Sequence, residues 1–215
     1  MDALLYLHRH PLAKKINLLR YDLPTFLEEA VLFIDWYWPE LRGEKCGIEI
    51  RRAYLKAWEK VFRGLPKIEN TLVLRDYHVG NLMQLGGGKK LSRLGIIDFQ
   101  DALIGPAPYD LVSLIEDARR DNLCISEQLL SRYLDSIEEQ GLRKFKRWYS
   151  VLGANRHAKC AGIFVRLWRR DGKKGYLKYL PHVLKMLALK LISEDLAPVE
   201  DWFHQYFPKF QKVII

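Results

Sequence analysis

Cysteine is scarce in this 215-residue chain, and its three copies, Cys46, Cys124 and Cys160, stand far apart. That spacing excludes a disulfide framework and any Cys-x-x-Cys metal site, and it points to reduced cytosol as the compartment. Long apolar runs are missing too. No stretch approaches the roughly 20 residues of a membrane span, and charges at Asp2, His8, Arg9, Lys14 and Lys15 interrupt what a signal peptide would need. There is no internal repeat, no low-complexity segment and no G-x-x-x-x-G-K-S/T phosphate loop. The one glycine cluster, Gly86-Gly87-Gly88 followed by Lys89-Lys90, reads as a hairpin tip. His157, His182 and His204 have no partner at metal-ligand spacing, so no zinc site is expected, while His8 and His10 read as surface residues near a helix end.

Acids are nearly absent from one long region. Between Arg143 and Lys190 stand 14 Lys or Arg against a single acid, Asp171, although the whole chain is only +9. Such a region can attract nucleic acid or an acidic membrane surface, or form the solvated face around a site for an anionic metabolite. No recognised reading motif accompanies it, which places nucleic acid behind the metabolite. A hydrophobic content of 49% is enough to bury a core in one domain, or in one lobe with an appended subdomain.

Leu4, Leu5 and Leu7 ahead of Pro11 predict a short helix stopped before the proline. Thr25 to Glu28 has capping-box spacing for a second helix start, and Pro39 is expected to end that segment. A third helix is predicted over 48–62, with Tyr54, Leu55, Trp58, Val61 and Phe62 on one face. The period then shortens, giving strands at 71–74, 82–85 and 93–97. Helices return over 110–118, 126–140, 144–169 and 181–192, punctuated by Gly141 and Gly172. The fold expected is α+β and mostly helical, a single domain over 1–215. Residues 1–70 form a helical entry segment, 71–110 a catalytic loop with a metal-binding hairpin, and 111–215 a helical substrate subdomain.

The chemistry concentrates in Leu74-Arg75-Asp76-Tyr77-His78-Val79-Gly80-Asn81 and, after the hairpin, Ile96-Ile97-Asp98-Phe99. Phosphoryl transfer asks a protein for positioning and charge neutralisation. Asp76, in a loop past a strand, can accept a hydrogen bond from an attacking hydroxyl. Asn81 can offer a neutral oxygen and Asp98 a carboxylate to Mg²⁺, which prefers oxygen and keeps waters and substrate phosphates. Taken singly, Asp-x-x-x-x-Asn is ordinary turn chemistry, and an Asp after an apolar strand is often a loop cap. The combination of strand, Asp loop, Asn, hairpin and second Asp is what points to a kinase-type site. His78 competes as a base, but a His two residues past such an Asp more often braces the loop; Arg75 is grouped with it as loop support.

The runs from Leu72 to Met83, Ile97 to Ala102 and Gly105 to Leu111 strongly resemble the aminoglycoside-phosphotransferase-like kinases, a protein-kinase-like family. The branch they resemble is the bacterial N-acetylmuramate/N-acetylglucosamine anomeric kinases of cell-wall recycling. The resemblance continues through Glu116-Asp117-Ala118-Arg119-Arg120-Asp121, Gly162 to Leu167, Arg169 to Gly172 and Tyr179-Leu180-Pro181, almost the whole chain. It implies ATP as donor and Mg²⁺ as cofactor. Asp76 matches the family's catalytic base, Asn81 and Asp98 its magnesium ligands, and Asp110 an acid that braces the catalytic loop. Leu74 stands where many such kinases carry His, which removes no reacting group. Met1 corresponds to a point just past the hinge, so the chain is expected to be the C-terminal lobe only. The glycine-rich loop and ATP-binding lysine would then come from a separate N-lobe polypeptide or a longer product. Such a lobe should expose an apolar strip and be inactive or weak alone.

Downstream, Phe145, Trp148, Tyr149 and Leu152 form a helical stripe that continues onto Asn155, Arg156 and Lys159. Those polar groups either contact a sugar's hydroxyls or carboxylate, or pair with acids such as Asp110 or Asp117, and spacing leaves both open. Arg166, Arg169 and Arg170 read as a solvated helix end. The basic region disfavours a polycationic aminoglycoside and suits an N-acetylated amino sugar, above all the carboxylate-bearing muramic acid. The competing expectation is a non-catalytic remnant or binding module that kept the kinase C-lobe fold.

Overall fold

The computed structural model describes residues 1–88, 90–119, 123–208 and 210, without the side chains of 90, 123 and 124. Lys89 of the glycine-rich turn, Arg120 and Asp121 of the family-like motif, and the thiol of Cys124 lie outside the described residues. The chain forms two compact units, Met1–Asp22 with Pro66–Tyr149 and Leu23–Leu65 with Ser150–Ile215.

In the first unit, α1 (Asp2–Arg9) stops at an extended His10, because a residue before proline is driven out of the helical region. Strands β1 (Asn70–Val73) and β4 (Leu103–Pro106) pair antiparallel, Val73 opposite Leu103. Residues 19–21 lie beside β4 in parallel: the Ile104 N–H donates to Leu19 O and the Tyr21 N–H to Ile104 O, both at 2.9 Å. Gly105 makes this approach possible, since a Cβ there would stand 2.6 Å from Tyr21 Cβ. The sequence gives no sign of β4, whose four residues include a glycine and a proline. A second hairpin pairs β2 (Leu82–Gln84) with β3 (Leu94–Ile96), Leu82 opposite Ile96. Helices α5 (Pro108–Ile115) and α6 (Leu123–Leu134) follow. Every residue of α5 is buried, and Leu4, Leu72, Leu74, Tyr77, Leu111 and Phe145 belong to one apolar cluster. Val79, Met83, Leu85, Leu91, Ile97 and Phe99, along the β2–β3 hairpin and its flanks, are exposed.

In the second unit, α2 (Leu23–Leu32) starts two residues ahead of Thr25, so the Thr25–Glu28 pair sits inside the helix and not at its mouth. Nor does Pro39 end the segment. A π turn at Phe33–Tyr37, with the Trp38 N–H on Phe33 O, leads directly into α3 (Trp38–Arg42). A proline ring in an α-helix collides with the carbonyl four residues back, and a widened turn just ahead of it relieves that collision. The stop is Gly43, at φ 75°. Helix α4 (Ile48–Arg63) buries Tyr54, Trp58, Val61 and Phe62.

Helix α7 (Glu139–Asp171) begins in the first unit, and its later half belongs to the second. Gly141 lies in its first turn and does not break a helix; Gly172, at φ 68°, does end it. Residues 151–158 are buried on every side, and a Cβ on Gly162 would collide with the Leu32 carbonyl and the Phe33 nitrogen. Helices α8 (Leu180–Leu191) and α9 (Ala197–Tyr206) complete the unit. Its core is aromatic: Phe26 stacks on Phe62 at 4.5 Å and Tyr54 meets Trp202 at 4.6 Å. Although α7 has 33 residues, no described helix is long and apolar enough to cross a membrane.

Candidate active site

The start of the loop after β1 is held by a buried carboxylate. Asp110, fully buried in the first turn of α5, accepts the Leu74 N–H at Oδ2 (2.7 Å) and the Arg75 N–H at Oδ1 (2.9 Å). These two amides come just past the last β1–β4 pair, so the carboxylate takes over where the ladder stops. Arg75 has φ 67°, a left-handed conformation that a non-glycine residue keeps only when its surroundings enforce it. Ser113 adds a hydroxyl on Arg75 O at 3.3 Å. The Arg75 guanidinium lies over the Tyr21 ring (5.7 Å) and reaches Asp101 O (3.5 Å).

His8, expected on the surface, is buried. Its Nε2 is 3.4 Å from Asp110 Oδ2 and its Nδ1 is 2.7 Å from the Tyr133 hydroxyl. Burial, reinforced by the Asp110 charge, pushes the Tyr133 pKa up and keeps its proton in place. The consistent arrangement is Tyr133 O–H donating to His8 Nδ1, and His8 Nε2–H donating to Asp110. Tyr77, within the same loop, is likewise pushed up to about 12 by burial and then by Asp110.

Asp76 is half-buried in the loop. The Asn81 amide nitrogen donates to Asp76 O at 3.0 Å and approaches Asp98 Oδ2 at 3.3 Å. The Ile97 N–H on Asn81 O (3.1 Å) continues the hairpin pairing and draws the two segments together. Asp98 lies two residues past the end of β3, exposed and at φ 62°, and the Gln100 amide donates to its Oδ1 at 2.7 Å. With its nitrogen committed to Asp76, Asn81 keeps Oδ1 as the end available to a cation. Among the described residues no three His, Cys, Asp or Glu gather as a metal cluster. One carboxylate and one amide oxygen fit Mg²⁺, which needs few protein ligands.

His78 and Gly80 complete the loop, and a Cβ on Gly80 would sit 3.3 Å from the His78 ring. Asp117 accepts the Val79 N–H at 3.3 Å and also binds Arg119. Sequence reading offered Asp117 only as a possible partner for the polar stripe at 155–159 and gave Arg119 no role, although both residues fall within a family-like run.

Asn155, Arg156 and Lys159 belong to the second unit, where Asn155 and Arg156 are buried. The Asn155 amide nitrogen donates to Phe26 O (3.2 Å), and Lys159 pairs with Glu29 at 2.8 Å. Arg169, read as part of a solvated helix end, grips Glu40 through two bonds of 2.6 and 2.8 Å. Arg51 pairs with Asp35 at 3.2 Å. Both pairs line a cleft of about 840 Å³ beside Trp36 and Pro39.

The model of the phosphotransferase enzyme family matches residues 1–152. The chain is 36% identical over 189 residues to the N-acetylmuramate/N-acetylglucosamine kinase of Neisseria meningitidis, covering 83% of this chain and 54% of that protein. It is 33% identical to the protein of the same name from Caulobacter vibrioides, covering 97% and 59%. It is also 33% identical to the one from Pseudomonas putida, covering 84% and 53%. The chain thus spans little more than half the length of these relatives. With a matched family model reaching through the Asp76 loop, the hairpin and Asp110, the chain belongs to the phosphotransferase enzyme family.

Proposed function

We propose that this chain is the C-terminal lobe of an ATP-dependent sugar kinase that phosphorylates N-acetylmuramate or N-acetylglucosamine in cell-wall recycling. The observation that carries it is the meeting of Asn81 and Asp98 at 3.3 Å, with Asn81 anchored to the Asp76 backbone. Asp76 accepts the hydrogen bond of the acceptor hydroxyl and orients it; Asp110 and His78 hold the loop in register. Asn81 and Asp98 are the residues that would hold Mg²⁺, which neutralises phosphate charge during transfer. The kinase names of the relatives support a sugar acceptor, as does the basic region of this chain. The remaining nucleotide contacts are assigned to residues beyond these 215, in a longer product or a separate N-lobe chain. The exposed apolar residues of the hairpin, Met83, Leu85 and Ile97, suit that assignment.

Titration calorimetry of Mg²⁺·ADP with the wild type and Asp98→Ala tests the reading. The wild type binds in a Mg²⁺-dependent manner and Asp98→Ala loses at least tenfold in affinity. Equal binding by the two proteins removes Asp98 from the site.

A further inference from the structure

Asp117 and Arg119 form a device at the catalytic loop that the reaction as described leaves unused. Asp117 is buried, its side chain 3% exposed, and its carboxylate does two things. Oδ2 accepts the Val79 N–H (3.3 Å), inside the loop joining Asp76 to Asn81. Oδ1 accepts the backbone N–H of Arg119 (3.1 Å) and the guanidinium Nη1 (3.2 Å). A guanidinium carries five N–H donors in a fixed plane, and among the described residues Asp117 is the only acceptor Arg119 has. The Arg119 side chain is 32% exposed, and its Nη1 stands 3.9 Å from where a Cβ on Gly80 would lie. A buried acid therefore fixes a charged fork at the lip of the loop, with most of its donors unspent among the described residues. Arg75, the loop's own arginine, is turned to Tyr21 and the Asp101 carbonyl.

We propose that Arg119 receives an anionic oxygen group of a ligand bound at this loop. The group is either the carboxylate of an acidic acceptor sugar or a phosphate of the donor, and a planar fork recognises both in two-point fashion. Asp117 acts as its positioning residue, setting the direction of the fork and the Val79 amide together. The inference rests on the reading of the Asp76 loop as a phosphoryl-transfer site, and its test separates the two.

The 215-residue chain is titrated with inorganic phosphate and with lactate, against chloride at equal ionic strength. Nuclear magnetic resonance follows the Val79 and Gly80 amides. A saturable shift with at least one anion is expected in the wild type. It is absent in Arg119→Met, and at least tenfold weaker in affinity in Arg119→Lys and Asp117→Asn. Far-ultraviolet circular dichroism confirms that each variant folds. N-acetylmuramate, N-acetylglucosamine and Mg²⁺·ADP are then compared. A loss of about tenfold in Arg119→Met for N-acetylmuramate alone identifies the sugar carboxylate. The same loss for the nucleotide alone identifies the phosphate. If the anion shift is present while neither sugars nor nucleotide bind, the kinase reading falls and the anion site stands. Amides that ignore both anions, or that respond equally in Arg119→Met, overturn the proposal.

Discussion

At the scale of single residues, the start of the Asp76 loop rests on Asp110, a residue outside the loop itself. Its two oxygens satisfy two consecutive amides, one on a left-handed residue, and one oxygen also faces His8. Removing a buried acceptor leaves each donor with its full desolvation cost. Asp110→Ala is therefore expected to cost on the order of 3 kcal/mol, read as a lower denaturant midpoint with an unchanged slope. An unshifted midpoint would show that the loop does not depend on this carboxylate for its conformation. The loop-bracing role of Asp110 was legible through the family resemblance. Its partners were not, because His8 and Tyr133 are distant in sequence and nothing local separates a buried His from an exposed one. Lys159 illustrates the same limit. An acid partner was one of two readings left open for that stripe, with Asp110 or Asp117 as the acids, whereas Glu29 is set by helix packing that spacing alone cannot specify.

Among the elements, the contact of α7 with the end of α2 is the most exacting. At Gly162 a helix backbone rests directly on the Leu32–Phe33 peptide, at the entry to the π turn that carries the chain past Pro39. Gly162→Ala must move one backbone or the other, since the obstructing atoms are main chain. A loss of roughly 2–3 kcal/mol is expected, measured by thermal or urea unfolding. Helix propensity alone predicts the opposite, a gain of up to about 1 kcal/mol, so the sign of the change decides. Long periodic helices such as α4 and α7 could be read from apolar spacing. The π turn could not, since proline ordinarily signals a stop and its local remedy has no sequence signature. Strand β4 escaped because its partners are β1 and residues 19–21, not its chain neighbours.

For the whole molecule, the buried tyrosines set an alkaline limit. Burial raises the pKa of Tyr54 in one unit and of Tyr77, Tyr133 and Tyr149 in the other; Tyr77 reaches about 12 from 10.0. Above pH ~10 the unfolded chain releases these phenolic protons while the folded chain keeps them. The unfolded state then binds fewer protons, and stability falls as pH rises. Each such group contributes about 1.4 kcal/mol per pH unit across its window, which for Tyr77 closes near 12. Stability should therefore drop steeply between about pH 10 and 12, with tyrosinate absorbance from these residues appearing together with unfolding. Their full ionisation while the fold persists would show that these phenols are open to solvent.

The parallel contact between residues 19–21 and β4 also bears on how the protein is made. Leu19 and Tyr21 leave a ribosome well before the strand they lie beside, which is centred on Ile104. At the usual 5–20 residues per second, their hydrogen-bond partner arrives several seconds later. In that interval the helices α2 to α4 have all been synthesised between them. The first unit thus closes across a long insertion, and such long-range pairings fold slowly. A nascent chain stalled before Gly105 would present Leu18 and Leu19, exposed even in the finished fold, to whatever chaperone waits at the exit.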